Sequence, residues 1–153
     1  MSRRWTEDAA LVSSMAQRFV EALPLFPKRF IRVDELVRQH GMPLSHLQIL
    51  IMLEERDLSI GQISARLGIA KPNITPLVDS LCENSMVARV RDGRDRRVVN
   101  VHLLDKGMQC LTELRKSVED QLTALPGSLS RSEAKELCGA LSTLVRLGAH
   151  LAE

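Results

Sequence analysis

The chain has no tyrosine, one tryptophan and three phenylalanines, so that only 3% of its 153 residues are aromatic. So little aromatic surface argues against a sandwich of aromatic strands and favours packing of aliphatic helices. Cysteine is also scarce. Cys82, Cys110 and Cys138 are odd in number, widely spaced and without a CxxC pair, which excludes a disulfide framework and a zinc cage and leaves small core residues as the reading. No apolar run approaches the ~18 to 20 residues that span a bilayer. The basic start "MSRRW" is not followed by the apolar stretch of an export signal, so a cytoplasmic protein with no membrane partner is expected. His40, His46, His102 and His150 are scattered, and neither an HExxH motif nor a Gly-rich phosphate loop occurs. No local Ser, His and Asp set suggests a nucleophile, so catalytic residues, metal ligands and cofactors are not expected.

What is present is enough aliphatic residue for one core: 44% of the chain is hydrophobic and 26% is charged, ordinary values for a single soluble domain. From Thr6 onward, Leu11 or Val12, Met15, Phe19 and Ala22 or Leu23 recur every three or four positions, which predicts an amphipathic helix. Pro24 and Pro27 interrupt it, and it resumes through "FIRVDELVRQHG" until Gly41 and Pro43. "SHLQILIMLEE" predicts a densely apolar helix in the middle of the domain, capped by Ser45 with Gln48. A cleaner capping box, Ser59 with Gln62, starts a helix from about Ile60 to Leu67, and Gly68 supplies the left-handed residue of a tight turn. A further helix from about Pro72 to Asn84 carries Ile74, Leu77, Val78 and Leu81 on one face. "MVARVR" and "RRVVNVHL" alternate with period two around a Gly-containing tip and predict a two-stranded hairpin. Beyond Asp105 a long helix carries Leu111, Leu114, Val118, Leu122 and Leu125 until Pro126 and Gly127. The last helix opens on a second capping box, Ser130 with Glu133, and carries Leu137, Leu141, Leu144, Gly148 and Leu151.

Helix, turn, helix and hairpin is the order of a winged helix-turn-helix, whose second helix enters the DNA major groove. At the start of that helix Lys71, Asn73, Thr75 and Pro76 lie off the apolar face. Asn73 suits a bidentate contact to adenine, Lys71 a guanine edge or a phosphate, and the Thr75 methyl or Pro76 ring a thymine methyl. Between Arg89 and Arg97 stand five arginines and two aspartates, a local charge of +3 in a chain of net +2, leaving −1 elsewhere by subtraction. A basic tip of this kind serves phosphates. Asp95 and Arg97, two apart on a strand, project from one face, so the carboxylate can orient the guanidinium, with Arg94 and Arg96 left for phosphates. The plainer reading is that Asp92 and Gly93 only make the turn and that Asp95 only dilutes repulsion.

The stretches "LSIGQISARLGIAKPNITPLVDSLCENSMVARV" and "DRRVVNVHLLDKG" resemble the multiple-antibiotic-resistance regulator (MarR) family of dimeric winged-helix transcription factors. The likeness includes "LVD-L", a wing ending D-x-R-x-x-x-V-x-L (Asp95, Arg97, Val101 and Leu103) and a glycine entering the next helix. It implies a mainly α fold with a small β-hairpin wing, in one domain: dimerisation helices at about 1–42 and 105–153, and a DNA-binding lobe at about 44–104. It also implies that Arg97 enters the minor groove, held by Asp95. Two departures stand out. Pro76 occupies a position that is basic in many members, and it is tolerable in a helix beginning near Asn73, where its missing amide would be unpaired anyway. Ser85 stands where the family usually has glycine.

The three helices with near-heptad stripes come from the two ends of the chain and flank a block with its own core, so a homodimer is expected. The resemblance further implies a regulatory cavity for a small anionic or phenolic effector between dimerisation helices and DNA-binding lobe, with Met15, Phe19, Phe30, His46 and Leu50 as candidate lining. Such a ligand relieves repression only by binding the DNA-incompetent arrangement better. The leading expectation is a homodimeric repressor on a pseudo-palindromic double-stranded operator. The alternatives are a protein-interaction module whose wing docks an acidic partner, and a redox-sensing regulator signalling through Cys82.

Overall fold

A computed structural model describes residues 8–25, 30–91, 93, 98–125, 127 and 129–151. Within them the chain runs α1 (Ala9–Ala22), α2 (Val33–His40), α3 (Leu44–Leu53), β1 (Leu58–Ser59), α4 (Ile60–Leu67), α5 (Lys71–Glu83), β2 (Val87–Arg91), β3 (Val99–Leu103), α6 (Asp105–Thr123) and α7 (Arg131–Leu151). The mainly α, winged helix-turn-helix expectation holds, with one addition: the sheet has three antiparallel strands in the order β1-β3-β2. The added strand pairs Leu58 with Val101 and Ser59 with Asn100. Two residues carry no alternation to read, so β1 left no trace in the sequence pattern.

The core gathers around α3, where Leu47, Ile49, Leu50 and Leu53 are buried. Ile63 of α4, Ile74, Val78 and Leu81 of α5, Val87 and Val101 of the sheet and Leu111 of α6 close over it. Each such side chain contributes about 1.5–3 kcal/mol relative to exposure. The expected Ser45 cap is not formed. The Pro43 carbonyl accepts from the amides of His46 and Leu47 at 3.0 and 3.4 Å, so the helix begins at Leu44 and leaves Ser45 inside its first turn, with no side-chain cap.

Two backbone devices join α5, the wing and α6. After α5, Ser85 adopts a left-handed φ of 57°, while the Ser85 amide donates to the Cys82 carbonyl and the Met86 amide to the Leu81 carbonyl, both at 2.9 Å. This is the closure that usually selects glycine, which accounts for the usual glycine here and leaves Ser85 in a conformation that costs an L-residue. In α6, a Cβ on Gly107 would stand 2.5 Å from the Met86 carbonyl oxygen and 2.6 Å from Leu103 Cδ1. Only glycine lets the helix come this close to the base of the wing.

The chain ends are packed differently. α1, capped by Asp8 accepting from the Leu11 amide at 3.0 Å, has no buried residue. No residue from 131 to 149 in α7 is buried either. The stripe on α6 divides: Leu111 and Leu114 are buried in the lobe, whereas Leu122 is exposed. Its second half and α7 border an apolar groove of about 1040 Å³ lined by Phe30, Ile31, Val118, Leu122, Leu141 and Val145, among others. The cysteines depart from the expectation of three core residues: Cys110 is buried, Cys82 half-buried and Cys138 exposed, the last because it faces this groove. Among the described residues no helix is long and apolar enough to cross a membrane.

Candidate nucleic-acid interface

The turn between α4 and α5 is fixed from both sides. Ser59 Oγ accepts from the Gln62 amide at 3.3 Å and Gln62 Oε1 from the Ser59 amide at 2.8 Å, completing the expected capping box. Gly68 takes a left-handed φ of 64° at the end of α4. Ser64 Oγ then donates to the Ile69 carbonyl at 2.6 Å, so side chain and backbone both hold the turn. α5 leaves it with Ala70 at its cap position and no side-chain cap. Pro72 has no amide to give and the Asn73 amide donates to the Ala70 carbonyl at 2.9 Å, so of the first three residues only Lys71 has an amide left for an incoming acceptor.

On α5, Ile74, Val78 and Leu81 face the core, and Lys71, Pro72, Asn73, Thr75 and Pro76 are exposed. All four residues expected at the major groove therefore lie on the accessible side of one helix start. The Asn73 carboxamide has no hydrogen-bond partner among the described residues, leaving its donor and acceptor available together. Thr75 Oγ1 donates to the Lys71 carbonyl at 3.2 Å, which occupies the hydroxyl proton and leaves the methyl as the distinctive contact. Lys71 lies over the start of α4, where a Cβ on Gly61 would stand 3.3 Å from its Cε and 3.4 Å from Nζ. Pro76 is accommodated differently from expectation. The helix begins at Lys71, so Pro76 is its sixth residue and the Pro72 carbonyl receives no amide from it, a defect worth up to ~3 kcal/mol in a helix interior. Both prolines are on the exposed face, where water reaches the polar groups left over.

In the wing, Val87 pairs with Leu103, Arg89 with Val101 and Arg91 with Val99. Opposed residues share a face, and Val87, Val101 and Leu103 are buried, so Arg89 and Arg91 rise from the core side of the hairpin at its outer edge. Arg89 Nη1 donates to Asp79 Oδ1 at 2.5 Å. One of the five arginines that make the segment basic is thus matched by an aspartate outside it. Asp92 and the wing residues Arg94, Asp95, Arg96 and Arg97 lie outside the described residues. At the other edge of the sheet, His102 Nδ1 meets Asp57 Oδ1 at 2.8 Å.

The five residues named for an effector cavity are not gathered in one place. Met15 and Phe19 are exposed on α1, and Leu50 is fully buried in the core. Phe30 lines the α6–α7 groove. His46 is 8% exposed, and its Nδ1 is the only buried side-chain nitrogen or oxygen without a partner among the described residues. Burial holds its pKa below the ordinary histidine value, so it is neutral at pH 7. Burial, reinforced by Glu113, pushes the Cys110 thiol up, which makes it a poor nucleophile. A second, polar cleft of about 390 Å³ lies between α2 and α6. There Gln121 Oε1 accepts from the Arg32 amide at 2.7 Å and Ser117 Oγ lies 3.3 Å from His40 Nε2, tying the end of α6 back to α2. Arg115 and Glu54 tie α6 to α3 in the same way.

Residues 40–98 match the MarR family model. An uncharacterized HTH-type transcriptional regulator of Bacillus subtilis, YsmB, is 30% identical over 65% of this chain and 68% of its own length. The chain belongs to the MarR family. Among solved structures, a MarR-family protein from Bacillus stearothermophilus superposes with a TM-score of 0.64 at 24% identity, over 98% of this chain and 99% of that one. CouR from Rhodococcus jostii, solved with p-coumaroyl-CoA bound, does so with a TM-score of 0.57 at 17% identity, over 94% and 95%. This MarR-family chain is accordingly a DNA-binding transcriptional regulator, and its relatives and fold neighbours are regulators rather than enzymes.

Two residues of the interface were not read from the sequence. Gly61 sits inside "SIGQ", and a glycine within a helix, which costs about 0.5–1 kcal/mol against alanine, was a signal that something passes close by. Asp79 belongs to the "LVD-L" likeness, but its ten-residue distance from Arg89 has no helical or strand periodicity to betray the pair.

Proposed function

We propose that this regulator is a homodimeric repressor that reads a pseudo-palindromic operator, with Lys71, Asn73, Thr75 and the Pro76 ring in the major groove and Arg97 in the flanking minor groove. Asp95 orients Arg97, and Arg94 and Arg96 serve phosphates. The observation that supports this most is the uncapped start of α5, where a lysine, a carboxamide with both functions available and an apolar methyl stand exposed in three consecutive half-turns. They match a phosphate or guanine, an adenine and a thymine in turn. In this reading about 44–104 bind DNA and about 1–42 and 105–153 dimerise, with Leu36, Leu111 and Leu114 of the flanking segments packed into the core of the lobe. Leu11, Val12, Met15, Phe19 and Val20 on α1 and Leu141, Leu144, Val145 and Leu147 on α7 are exposed apolar residues that a second copy would cover. A regulator of this kind works beside the chromosome, in the cytoplasm.

The α6–α7 groove also supports relief by a small anionic or phenolic effector. Phe30 reaches it, the largely apolar wall also carries Arg115 and Arg146 beside one carboxylate, Glu119, and CouR is a fold neighbour with an acyl-CoA bound. An effector acts only through a difference in affinity between DNA-competent and DNA-incompetent arrangements.

The test is titration of a duplex recovered by selection from random DNA. Arg97→Ala is expected to weaken binding at least tenfold with an unchanged melting temperature, on the scale of one lost specific contact, about 1–3 kcal/mol. Neutralising Arg94 or Arg96 lowers the salt slope by about one unit each if each meets one phosphate. Wild-type affinity in Arg97→Ala at physiological salt refutes the wing reading. Equal retention on a scrambled duplex would favour the rival reading, an acidic protein partner for the wing.

A further inference from the structure

Pro72, Pro76, Asp79 and Glu83 recur at intervals of four, three and four residues, so they share the exposed face of α5 opposite Ile74, Val78 and Leu81. Beyond its first turn, this face of the recognition helix therefore offers DNA one proline and two carboxylates and no cation. A carboxylate on that face repels a polyanion. Asp79, however, does not face solvent alone: it accepts from Arg89 at 2.5 Å, and the two side chains are 46% and 37% exposed respectively. Arg89 is the middle residue of β2, opposite the fully buried Val101. Its side chain thus leaves the core side of the hairpin and meets the helix at the point where core gives way to solvent.

We infer that Asp79 and Arg89 form a strut fixing the base of the wing against the recognition helix, with Arg89 a positioning residue for the wing arginines and not itself a phosphate contact. The inference rests on the proposal that the wing reaches DNA. Its physical content is a constraint on angle. β2 continues only two residues past Arg89 before the wing tip, so a tilt at this point carries the whole tip with it. An ion pair this exposed contributes little to folding stability, which makes orientation the property it can affect. Neutralising Asp79 also removes a negative charge from the DNA face. Simple electrostatics predicts tighter binding in that variant, and the strut predicts weaker binding.

The experiment compares full-length Asp79→Asn, Arg89→Gln, the double variant and Arg89→Lys with wild type on the selected duplex, with thermal midpoints measured in parallel. The strut predicts about fivefold weaker binding in each of the first two, with no further loss in the double, because coupled residues are not additive. Arg89→Lys should recover part of the loss, since lysine restores the charge but not the planar fork. The midpoints should be unchanged, and the losses should vanish on a duplex trimmed of the flanks beyond the two half-sites. Tighter binding by Asp79→Asn, or a double variant whose loss is the product of the singles, overturns the strut. If Asp79→Asn lowers the midpoint by more than a few degrees, Arg89→Lys decides, since wild-type affinity there marks Arg89 as a simple charge contact. Arg97→Ala separates the two failures. If it binds as wild type, the wing reading falls and takes the strut with it; if it binds weakly while Asp79→Asn binds tightly, only the strut falls.

Discussion

The central lobe and the terminal helices are built from similar residues and treated in opposite ways. Around α3, Leu50, Ile63, Ile74 and Val101 are fully buried. On α1 and α7, Phe19 is 60% exposed, Val20 66% and Val145 71%. A helix whose apolar face finds no cover in its own chain gains nothing from that face on folding alone. The contrast teaches where one copy of this chain is sufficient and where it is not. The lobe closes its core from one chain, and the ends supply surface suited to a second copy.

The largest effect should come from breaking the lobe. Leu81→Ala, which removes a fully buried side chain between α5 and the sheet, is expected to cost about 2–5 kcal/mol, read as a lower denaturant midpoint. The complementary change is Val145→Asp. It should leave the lobe folded by hydrogen exchange, yet convert a dimer near twice the chain mass of 17.1 kDa into a monomer by light scattering. A monomeric wild type, or an undisturbed dimer in Val145→Asp, would remove the second copy from the account.

The halves also differ in how far the sequence disclosed them. In the lobe, the Ser59–Gln62 box, Gly68 and the periodicities of α5 and the hairpin are local signals, and the local rules held. They failed where a neighbour in space decided the outcome. Pro43 took over the start of α3 from Ser45, β1 formed only because β3 offered an edge, and α5 began at Lys71 despite the strain at Pro76. The stripe on α6 was legible as apolar, but its division between core and groove was not, because a periodic face does not say what covers it. At the interface, the exposed start of α5 was readable from polarity alone. Gly61 and Asp79 were not, since each acts through a residue ten positions away, Lys71 and Arg89 respectively.

A smaller effect probes the polar group inside the lobe. His46 has a pKa lowered by burial, so the unfolded chain takes up a proton that the folded chain refuses. Stability is therefore at its full value above the ordinary histidine pKa of about 6.5 and falls as the pH drops below it towards the lowered folded value. Denaturant midpoints between pH 7.5 and 5.5 should decline in wild type and decline less in His46→Gln. An equal decline would show that other groups govern the acid response.

The smallest change improves the lobe. Ser85 holds a left-handed φ that costs an L-residue roughly 1–2 kcal/mol and glycine almost nothing. Glycine gains freedom in the unfolded chain worth about 0.4–1 kcal/mol. Ser85→Gly should therefore stabilise by about 0.5–1 kcal/mol, seen as a slightly raised melting temperature with DNA affinity unchanged. A lower melting temperature would mean that the serine side chain contributes something its backbone does not reveal.

Selection of bound sites from random DNA tests the joint claim, a lobe that reads bases and ends that bring two lobes together. The account predicts an inverted repeat whose half-sites are centred about one helical turn, about 10 base pairs, or a multiple of it apart. A single unrepeated site, or no enrichment at all, would contradict it.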